Sequence, residues 1–304
     1  MAGVSRQLVS AAGQIDDGEW VAAARSAWAE LPSLYRREIS TFRRDSGPAG
    51  AVVLRGLPVD EQDLPATPTV SGSVQRTATV PAALLVMTAC GLGDPAAFLA
   101  EKSGALVQDV VPVPGQEYFQ GNAGSVDLMM HNENAFHEHR PDFVMLLCLR
   151  PDHEGVAGLS TTSIREALPK LSDRARECLR QPEFGTQPPP SFGSPDGGAI
   201  RHAVLTGTPE DPNIQVDFAA TSGLTPAARE ALAELSDGLV GVARTVRLRA
   251  GDLAIVDNRV CLHGRSAFRP RYDGRDRWLQ RTFALADLRR SRSYRTDDGY
   301  VLVR

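Results

Sequence analysis

Two histidines and one glutamate have the spacing of a metal site. His131 and Glu133 stand two residues apart, so on a β-strand both side chains would point to the same face. His263 follows a short apolar segment after a predicted strand and supplies a second imidazole. Two imidazoles and one carboxylate on one face of a metal leave three positions open, which suits Fe(II) in oxygenases. We therefore predict that His131, Glu133 and His263 bind iron and leave room for O₂.

An arginine downstream of the second histidine extends this pattern. Arg281 lies 18 residues after His263, within a predicted buried strand. A buried guanidinium needs an anionic partner, and its paired N–H groups match the geometry of a carboxylate. That partner could be an Asp or Glu of the protein itself. Beside a metal site of this kind, the distal carboxylate of 2-oxoglutarate is the favoured alternative, so we predict that Arg281 anchors this co-substrate.

Short strands are the main elements that must position these residues. Apolar runs of strand length, separated by turn residues, occupy residues 104–113, 143–149, 158–164, 213–218, 245–248, 252–256 and 278–285. Regular alternation of strands with helices is missing, which disfavours a doubly wound sheet. We predict a mainly β fold with flanking helices, whose core is a double-stranded β-helix, the cupin-like jelly roll.

Helices and one long irregular segment complete the predicted architecture. Apolar spacing indicates helical structure in residues 16–43, 81–89, 94–100, 165–171 and 226–239. The segment 181–198 is rich in Pro and Gly and is predicted to lack regular structure. Such a loop is either a lid over a site or a plain surface insertion.

One domain is the expected organisation of the whole chain. We predict a single oxygenase domain over residues 1–304, with helical decoration at 1–48 and the jelly-roll core at 49–304. A chain of 304 residues with 42% hydrophobic residues can build a core of that size.

Charge and cysteine usage exclude several functional classes. A net charge of −4 gives no general attraction to nucleic acid or to an anionic membrane. The longest apolar run, residues 80–92, is too short to span a bilayer, and no secretory signal is visible. The four cysteines are far apart and are expected to be free thiols. We therefore predict a cytoplasmic protein without nucleic-acid or membrane partners, and leave its oligomeric state open.

Two longer segments resemble a known family. Residues 131–155 (HNENAFHEHRPDFVMLLCLRPDHEG) and 251–281 (GDLAIVDNRVCLHGRSAFRPRYDGRDRWLQR) are similar to the clavaminate synthase-like branch of the Fe(II)/2-oxoglutarate oxygenases. That branch includes asparagine, arginine and lysine hydroxylases of antibiotic biosynthesis, and the asparagine oxygenase type is the most similar. The resemblance covers about residues 50–285 and implies a double-stranded β-helix with N-terminal helices. It also implies the same metal ligands and the same role for Arg281.

Three further positions qualify this resemblance. Relatives often carry a threonine that supports 2-oxoglutarate where this chain has Leu159, so Ser160, Thr161 or water would have to replace it. His137 and His139 compete with the predicted metal ligands, but the matching segment of the family does not bind iron. We expect these two histidines to be structural.

The resemblance also implies residues that contact the substrate. Glu101, Asn122 and Asp217 match polar positions of asparagine oxygenases, and Glu133 is expected to contribute beside the metal. Arginine-hydroxylating relatives carry a second acid where this chain has Ala219, so a guanidinium would lose half of its clamp. Ordinary surface or salt-bridged acids are the alternative reading of Glu101 and Asp217.

The implied reaction is hydroxylation of a free L-amino acid, with asparagine or a polar analogue as substrate and C3 as the target carbon. It consumes O₂ and converts 2-oxoglutarate to succinate and CO₂. Because Glu133 fills the carboxylate position, no coordination site is left for a halide. The alternatives are an oxidative cyclase or desaturase similar to clavaminate synthase, and a cupin-like metabolite-binding protein without catalysis.

Overall fold

Sixteen short strands form the sheets in the computed structural model, which describes residues 1–11, 13–193 and 198–303. The strands are β1 (Ala51–Leu54), β2 (Asp94–Phe98), β3 (Gln108–Val110), β4 (Leu128–His131), β5 (Phe143–Arg150), β6 (Gly158–Ser163), β7 (Phe184–Thr186), β8 (Ile200–His202), β9 (Leu205–Gly207), β10 (Pro212–Ile214), β11 (Thr221–Gly223), β12 (Arg244–Arg247), β13 (Leu253–Asp257), β14 (Cys261–Arg265), β15 (Trp278–Leu285) and β16 (Val301–Leu302).

Two of the sheets matter most for the site. The larger has the order β1-β13-β5-β15-β2-β16, and β3 also pairs with β15. The smaller has the order β12-β6-β14-β4. Apolar residues of both sheets belong to one buried cluster, among them Leu146 and Leu279 of the larger sheet and Leu159 and Leu262 of the smaller. The predicted mainly β architecture is therefore confirmed.

Strand β5 shows why the larger sheet is buried on both faces. Phe143, Met145 and Leu147 belong to the apolar cluster on the helical side of the sheet. Val144 and Leu146 belong to the cluster shared with the smaller sheet. Because side chains alternate between faces along a strand, a strand covered on both sides has a continuous apolar sequence. The run at residues 143–149 has that form.

Seven α-helices accompany the sheets in the described part of the chain. They are α1 (Ala2–Val9), α2 (Gly18–Trp28), α3 (Ser33–Arg44), α4 (Val80–Leu92), α5 (Ile164–Ala167), α6 (Asp173–Leu179) and α7 (Pro226–Val240). Helix α4 is buried on nearly all sides, between α1, α2 and α3 and strand β15. The Thr79 hydroxyl caps it by accepting from the Ala82 backbone N–H at 3.3 Å. Among the described residues, no helix has the length and apolarity needed to cross a membrane.

Several element predictions need correction. Residues 94–100 do not form a helix: Asp94–Phe98 is strand β2, which pairs with β15 and β16. Its alanines favour a helix locally, but burial of Ala96, Ala97 and Phe98 in the sheet outweighs that preference. The helical structure predicted in residues 16–43 is present as two helices, α2 and α3, and Pro32 precedes the start of α3. Helices α1 and α6 were not predicted from the sequence.

The segment 181–198 contains regular structure that its composition concealed. Phe184–Thr186 forms strand β7, which pairs with β8 on one side and β11 on the other. Phe184 is fully buried, so one apolar side chain anchors an otherwise polar stretch. The prediction of a loop without regular structure is therefore wrong at β7. Residues 194–197 of the predicted lid lie outside the described residues.

Candidate active site

The three predicted metal ligands converge at the edge of the smaller sheet. His131 is the last residue of β4, and His263 lies opposite it on β14. The two imidazole centroids are 4.4 Å apart, and His263 Nε2 lies 3.6 Å from Glu133 Oε2. Potential ligand atoms of all three residues lie within 4.8 Å of one another. One expected detail is wrong, because β4 ends at His131 and Glu133 lies beyond the strand.

A pair of asparagines holds Glu133 in place where the strand has ended. The Glu133 backbone N–H donates to Asn258 Oδ1 at 2.8 Å, and Asn258 Nδ2 donates to the Glu133 carbonyl at 3.0 Å. Asn132 Nδ2 donates in turn to the Asn258 carbonyl at 2.9 Å. Both asparagines are buried. This clamp was not predicted from the sequence, although Asn132 lies between two predicted ligands and Asn258 lies in the second motif segment.

The donor set fits Fe(II). His131 Nδ1 lies 2.8 Å from the Met129 carbonyl, which can only accept, so the lone pair of Nε2 is free for a metal. Glu133 Oε2 is buried and has no hydrogen-bond partner among the residues that the structure describes. Burial opposes the charged form of Glu133, but Arg281 and His263 outweigh it and hold the pKa of this carboxyl below its usual range. Burial and nearby His131 lower the pKa of His263, which favours the neutral, metal-binding imidazole.

Arg281 stands at the centre of the other predicted residues. Its Nη1 donates to Glu133 Oε1 at 2.8 Å, and Nη2 donates to Glu101. Its Nε donates to Gln108 Oε1 at 3.2 Å. With the amide oxygen of Asn122 facing the guanidinium, this oxygen accepts from Nη2 at 3.0 Å and from Nη1 at 3.1 Å. The structure therefore brings Glu101, Asn122 and Glu133 together around one buried cation.

Asp217 approaches the site from another segment. Its backbone forms an antiparallel bridge with His131, and Phe218 N–H donates to the Met130 carbonyl at 3.2 Å. Residues directly opposite in such a pair carry side chains on the same side of the sheet. Asp217 Oδ1 accepts from the Ala219 N–H at 2.8 Å, which leaves Oδ2 for another donor. The predicted strand at 213–218 is shorter than expected, because β10 ends at Ile214.

Two further arginines line the cavity that contains the metal ligands, and sequence analysis assigned neither. Arg265 and Arg277 are 5% and 6% exposed, and both guanidinium groups lie over the ring of Phe268, at 5.3 and 5.7 Å. Within the described part of the chain, neither lies within 4.0 Å of a carboxylate oxygen, and Arg277 Nη1 has no hydrogen-bond partner. Burial and the neighbouring Arg277 lower the pKa of Arg265 to about 9. Arg265 Nη2 donates to the Val126 carbonyl at 2.9 Å, but a buried cation without an anionic partner is costly, so this end of the cavity suits an anion.

The position that departs from the family lies beside these arginines. Leu159 pairs with Arg265 across β6 and β14 and lines the same cavity. Ser160 points to the opposite face, where its hydroxyl lies 2.8 Å from that of Thr245. Thr161 pairs with His263 and shares the face of Leu159. Of the two candidate hydroxyls, Thr161 is therefore the one on the side of the metal ligands.

His137 and His139 pack among aromatic rings rather than in the ligand cluster. The ring of His137 lies 4.9 Å from that of Phe98, and the ring of His139 lies 4.5 Å from that of Tyr294. Both histidines are buried. These contacts agree with the structural role expected for them.

Comparison with known families places this site in context. Residues 29–283 match the family described as taurine catabolism dioxygenase TauD, TfdA family. The chain belongs to this family. L-asparagine oxygenase of Streptomyces coelicolor is 63% identical over 96% of this chain and 88% of its own length. Clavaminate synthase 2 of Streptomyces clavuligerus is 35% identical over 87% of this chain and 82% of its own. The resemblance inferred from the two motif segments is therefore confirmed.

Solved structures of family members match the fold. Asparagine oxygenase in complex with Fe(II), 2S,3S-3-hydroxyasparagine and succinate superposes with a TM-score of 0.96, at 61% identity, over 100% of this chain and 95% of that one. The oxygenase OrfP in complex with Fe, succinate and (3S)-hydroxy-L-Arg gives a TM-score of 0.90, at 27% identity, over 99% of this chain and 96% of that one. The predicted jelly-roll core and dioxygenase class are confirmed.

Proposed function

We propose that this protein is an Fe(II)/2-oxoglutarate-dependent oxygenase that hydroxylates free L-asparagine at C3. The observation that carries the proposal is the ring of Glu101, Asn122 and Glu133 around Arg281, directly beside the three candidate metal ligands. The 63% identity to L-asparagine oxygenase supports it, as does the 3-hydroxyasparagine complex of the matching solved structure.

His131, Glu133 and His263 would hold Fe(II), with Glu133 contributing Oε2 while Oε1 stays with Arg281. When bound, the iron supplies the oxidation: O₂ is consumed, 2-oxoglutarate becomes succinate and CO₂, and one oxygen atom enters the substrate. The residues of the chain bind and orient both substrates and exclude water. The clamp of Asn132 and Asn258 keeps the carboxylate aimed at the metal position.

The two carboxylate-containing substrates need separate cations. The sequence-based assignment of Arg281 to 2-oxoglutarate stays a prediction, and the contacts favour a different division. Arg281 already donates to Glu101 and Glu133, whereas Arg277 has no carboxylate partner within 4.0 Å among the described residues. We propose that Arg277, with Arg265 beside it, receives the distal carboxylate of 2-oxoglutarate. Arg281 would then bind the α-carboxylate of the amino acid.

The acids around Arg281 suit a zwitterionic ligand. Glu101 offers a buried carboxylate to an α-ammonium group, and Arg281 offers its guanidinium to an α-carboxylate. Asn122 offers an amide for the substrate backbone, and Asp217 offers Oδ2 to a side-chain donor such as a carboxamide N–H. Ala219 provides no second carboxylate for a guanidinium.

A screen of free amino acids with Fe(II) and 2-oxoglutarate tests the proposal. We expect asparagine to gain one oxygen atom, with succinate formed in equal amount, and the hydroxyl group to lie on C3. A product that has lost two hydrogens would instead indicate desaturation or cyclisation. The proposal fails if asparagine gives no product while another free or tethered amino acid does.

We further propose that residues 1–304 act as one oxygenase domain with a helical decoration at 1–48, and that the protein works in the cytoplasm without nucleic-acid or membrane partners. Helices α1, α2 and α3 fall within residues 1–48 and pack against α4, which supports a shared core. Fractionation of cells that express the tagged protein checks its location.

A further inference from the structure

A chain of side-chain hydrogen bonds runs from Asp217 to a histidine that the proposed reaction does not use. The Asp217 backbone N–H donates to Thr221 Oγ1 at 2.9 Å. Thr221 Oγ1 lies 2.7 Å from Thr186 Oγ1, which lies 2.7 Å from His202 Nε2. His202 Nδ1 ends the chain 2.9 Å from the Ala203 carbonyl. We call Thr221, Thr186 and His202 the hydroxyl–imidazole chain.

Only one arrangement of protons satisfies every member of this chain when His202 is neutral. The Ala203 carbonyl can only accept, so Nδ1 of His202 carries the proton and Nε2 accepts from the Thr186 hydroxyl. Thr186 then accepts from the hydroxyl of Thr221, and Thr221 accepts from the Asp217 N–H. All four bonds therefore point the same way, which lets each polarise the next.

The fold holds this chain rigidly. Thr221 pairs with Thr186 across β11 and β7, and His202 lies on β8, the other neighbour of β7. Thr186 and Thr221 are 1% and 9% exposed. Burial lowers the pKa of His202, and Arg140 lowers it further, so the imidazole is neutral near pH 7 as the proton arrangement requires. The Thr221 N–H also donates to the Asp217 carbonyl at 2.6 Å, so Asp217 is held at both backbone groups.

We propose that Thr221, Thr186 and His202 are positioning residues that fix Asp217 beside His131 and thereby set the affinity for the amino-acid substrate. The inference rests on the proposed function, because it takes Asp217 as a substrate-binding group. Asp217 lies outside the larger strands, and its bridge to His131 is isolated. The three-stranded sheet β11-β7-β8 therefore influences substrate binding by holding Asp217 through hydroxyl groups, and not by contacting the substrate itself.

Replacement of the central hydroxyl tests the inference. Thr186→Val keeps the shape of the side chain but leaves His202 Nε2 without a donor and the Thr221 hydroxyl without an acceptor. We expect the KM for asparagine to rise about threefold to tenfold, as for the loss of one hydrogen bond. The KM for 2-oxoglutarate should stay unchanged, and more succinate should form per hydroxylated product. Thr186→Ser, which keeps the hydroxyl, should restore the wild-type KM.

A matched control separates positioning from general loss of stability. Thr162 is buried, and its hydroxyl donates to the Leu239 carbonyl at 2.6 Å, outside the hydroxyl–imidazole chain. Thr162→Val should lower the melting temperature to a similar extent without changing the KM for asparagine. If Thr186→Val cannot be purified in folded form, His202→Leu removes the acceptor of the Thr186 hydroxyl and should raise the same KM.

The outcomes distinguish this inference from the proposed function. Asp217→Ala should raise the KM for asparagine, and adding Thr186→Val to it should cause no further rise. The inference is overturned if Thr186→Val leaves the KM unchanged, if Thr162→Val raises it equally, or if Asp217→Ala has no effect. Failure of the wild-type enzyme to hydroxylate asparagine overturns the proposed function instead, and the same variants are then measured with the amino acid that it does hydroxylate.

Discussion

Glu133 and Arg281 share a hydrogen bond of 2.8 Å between Oε1 and Nη1, and this bond joins the candidate metal centre to the candidate substrate pocket. One oxygen of Glu133 faces His263 and the other faces the guanidinium. A charge-assisted bond of this kind is stronger than a neutral one and fixes the carboxylate plane. We therefore expect metal binding and substrate binding to depend on the same side chain.

Replacement of Glu133 tests the metal assignment. Glu133→Ala removes one of three candidate ligands, so we expect Fe(II) binding to be lost and turnover to fall to background while the fold is retained. Anaerobic Fe(II) titration, circular dichroism and the release of succinate measure these effects. Glu154→Ala removes an exposed carboxylate and serves as the control. Wild-type turnover by the Glu133 variant would refute the assignment.

Replacement of Arg277 and replacement of Arg281 should raise the KM for different substrates. Arg277→Gln removes the cation without a carboxylate partner, so the KM for 2-oxoglutarate should rise about tenfold to a hundredfold, with little change in the KM for asparagine. Arg281→Gln should instead raise the KM for asparagine, with little change in the KM for 2-oxoglutarate. Steady-state kinetics with each substrate varied in turn makes the comparison. A rise in the KM for 2-oxoglutarate in the Arg281 variant alone would restore the assignment made from the sequence.

The asparagine clamp should control metal affinity from outside the ligand set. Asn258→Ala leaves the Glu133 N–H and carbonyl without their partners, at a cost of about 1–3 kcal/mol in stability. Misplacement of Glu133 should weaken Fe(II) binding about tenfold to a hundredfold. Differential scanning fluorimetry and Fe(II) titration report the two effects. Asn213→Ala, at an exposed position of β10, should change neither, and an unaltered metal affinity in the Asn258 variant would contradict the proposed role.

The ligand set could be predicted from sequence because its chemistry is local. The spacing of His131 and Glu133 and the strand context of His263 are visible in the chain, and apolar runs such as residues 278–285 locate strands to the residue. The strand at Asp94–Phe98 was missed because its local composition favours a helix, while tertiary pairing decides its structure.

The proposed assignment of Arg277 to 2-oxoglutarate and of Arg281 to the amino acid could not be predicted, because it depends on long-range contacts. In the sequence, Arg277 and Arg281 stand four residues apart and would share a face of one extended strand, so spacing cannot tell them apart. In the structure, Arg277 lies one residue before β15, and the register shifts between Trp278 and Leu279. Glu101 comes from the segment after β2, and its contact with Arg281 decides which guanidinium is occupied. Asn258 is similar: after a strand it reads as a turn residue, and its role appears only when Glu133 lies beside it.

Acid should destabilise the fold partly through His202. Burial and Arg140 lower the pKa of His202 in the folded state, so the fold favours the neutral ring. This contribution to stability is present above the unfolded pKa of about 6.5 and is lost as the pH falls through the lower folded pKa. When the pH is lowered from about 7.5 to about 5, the melting temperature of His202→Gln should therefore fall less than that of the wild type. Equal losses in both proteins would show that His202 does not contribute.

Substrate selectivity should follow from the polar lining of the pocket. Asp217 Oδ2 would face an apolar side chain without a donor, and a polar group that the substrate covers but leaves unpaired costs more than a lost contact. Leucine, which has nearly the shape of asparagine, should therefore be at least about a hundredfold poorer in kcat/KM. Asp217→Ala should lower kcat/KM for asparagine and so reduce its ratio to the kcat/KM for leucine. Uncoupled turnover of 2-oxoglutarate should continue. Competition assays with mass-spectrometric detection measure both, and equal hydroxylation of the two amino acids by the wild-type enzyme would exclude a pocket that recognises the carboxamide.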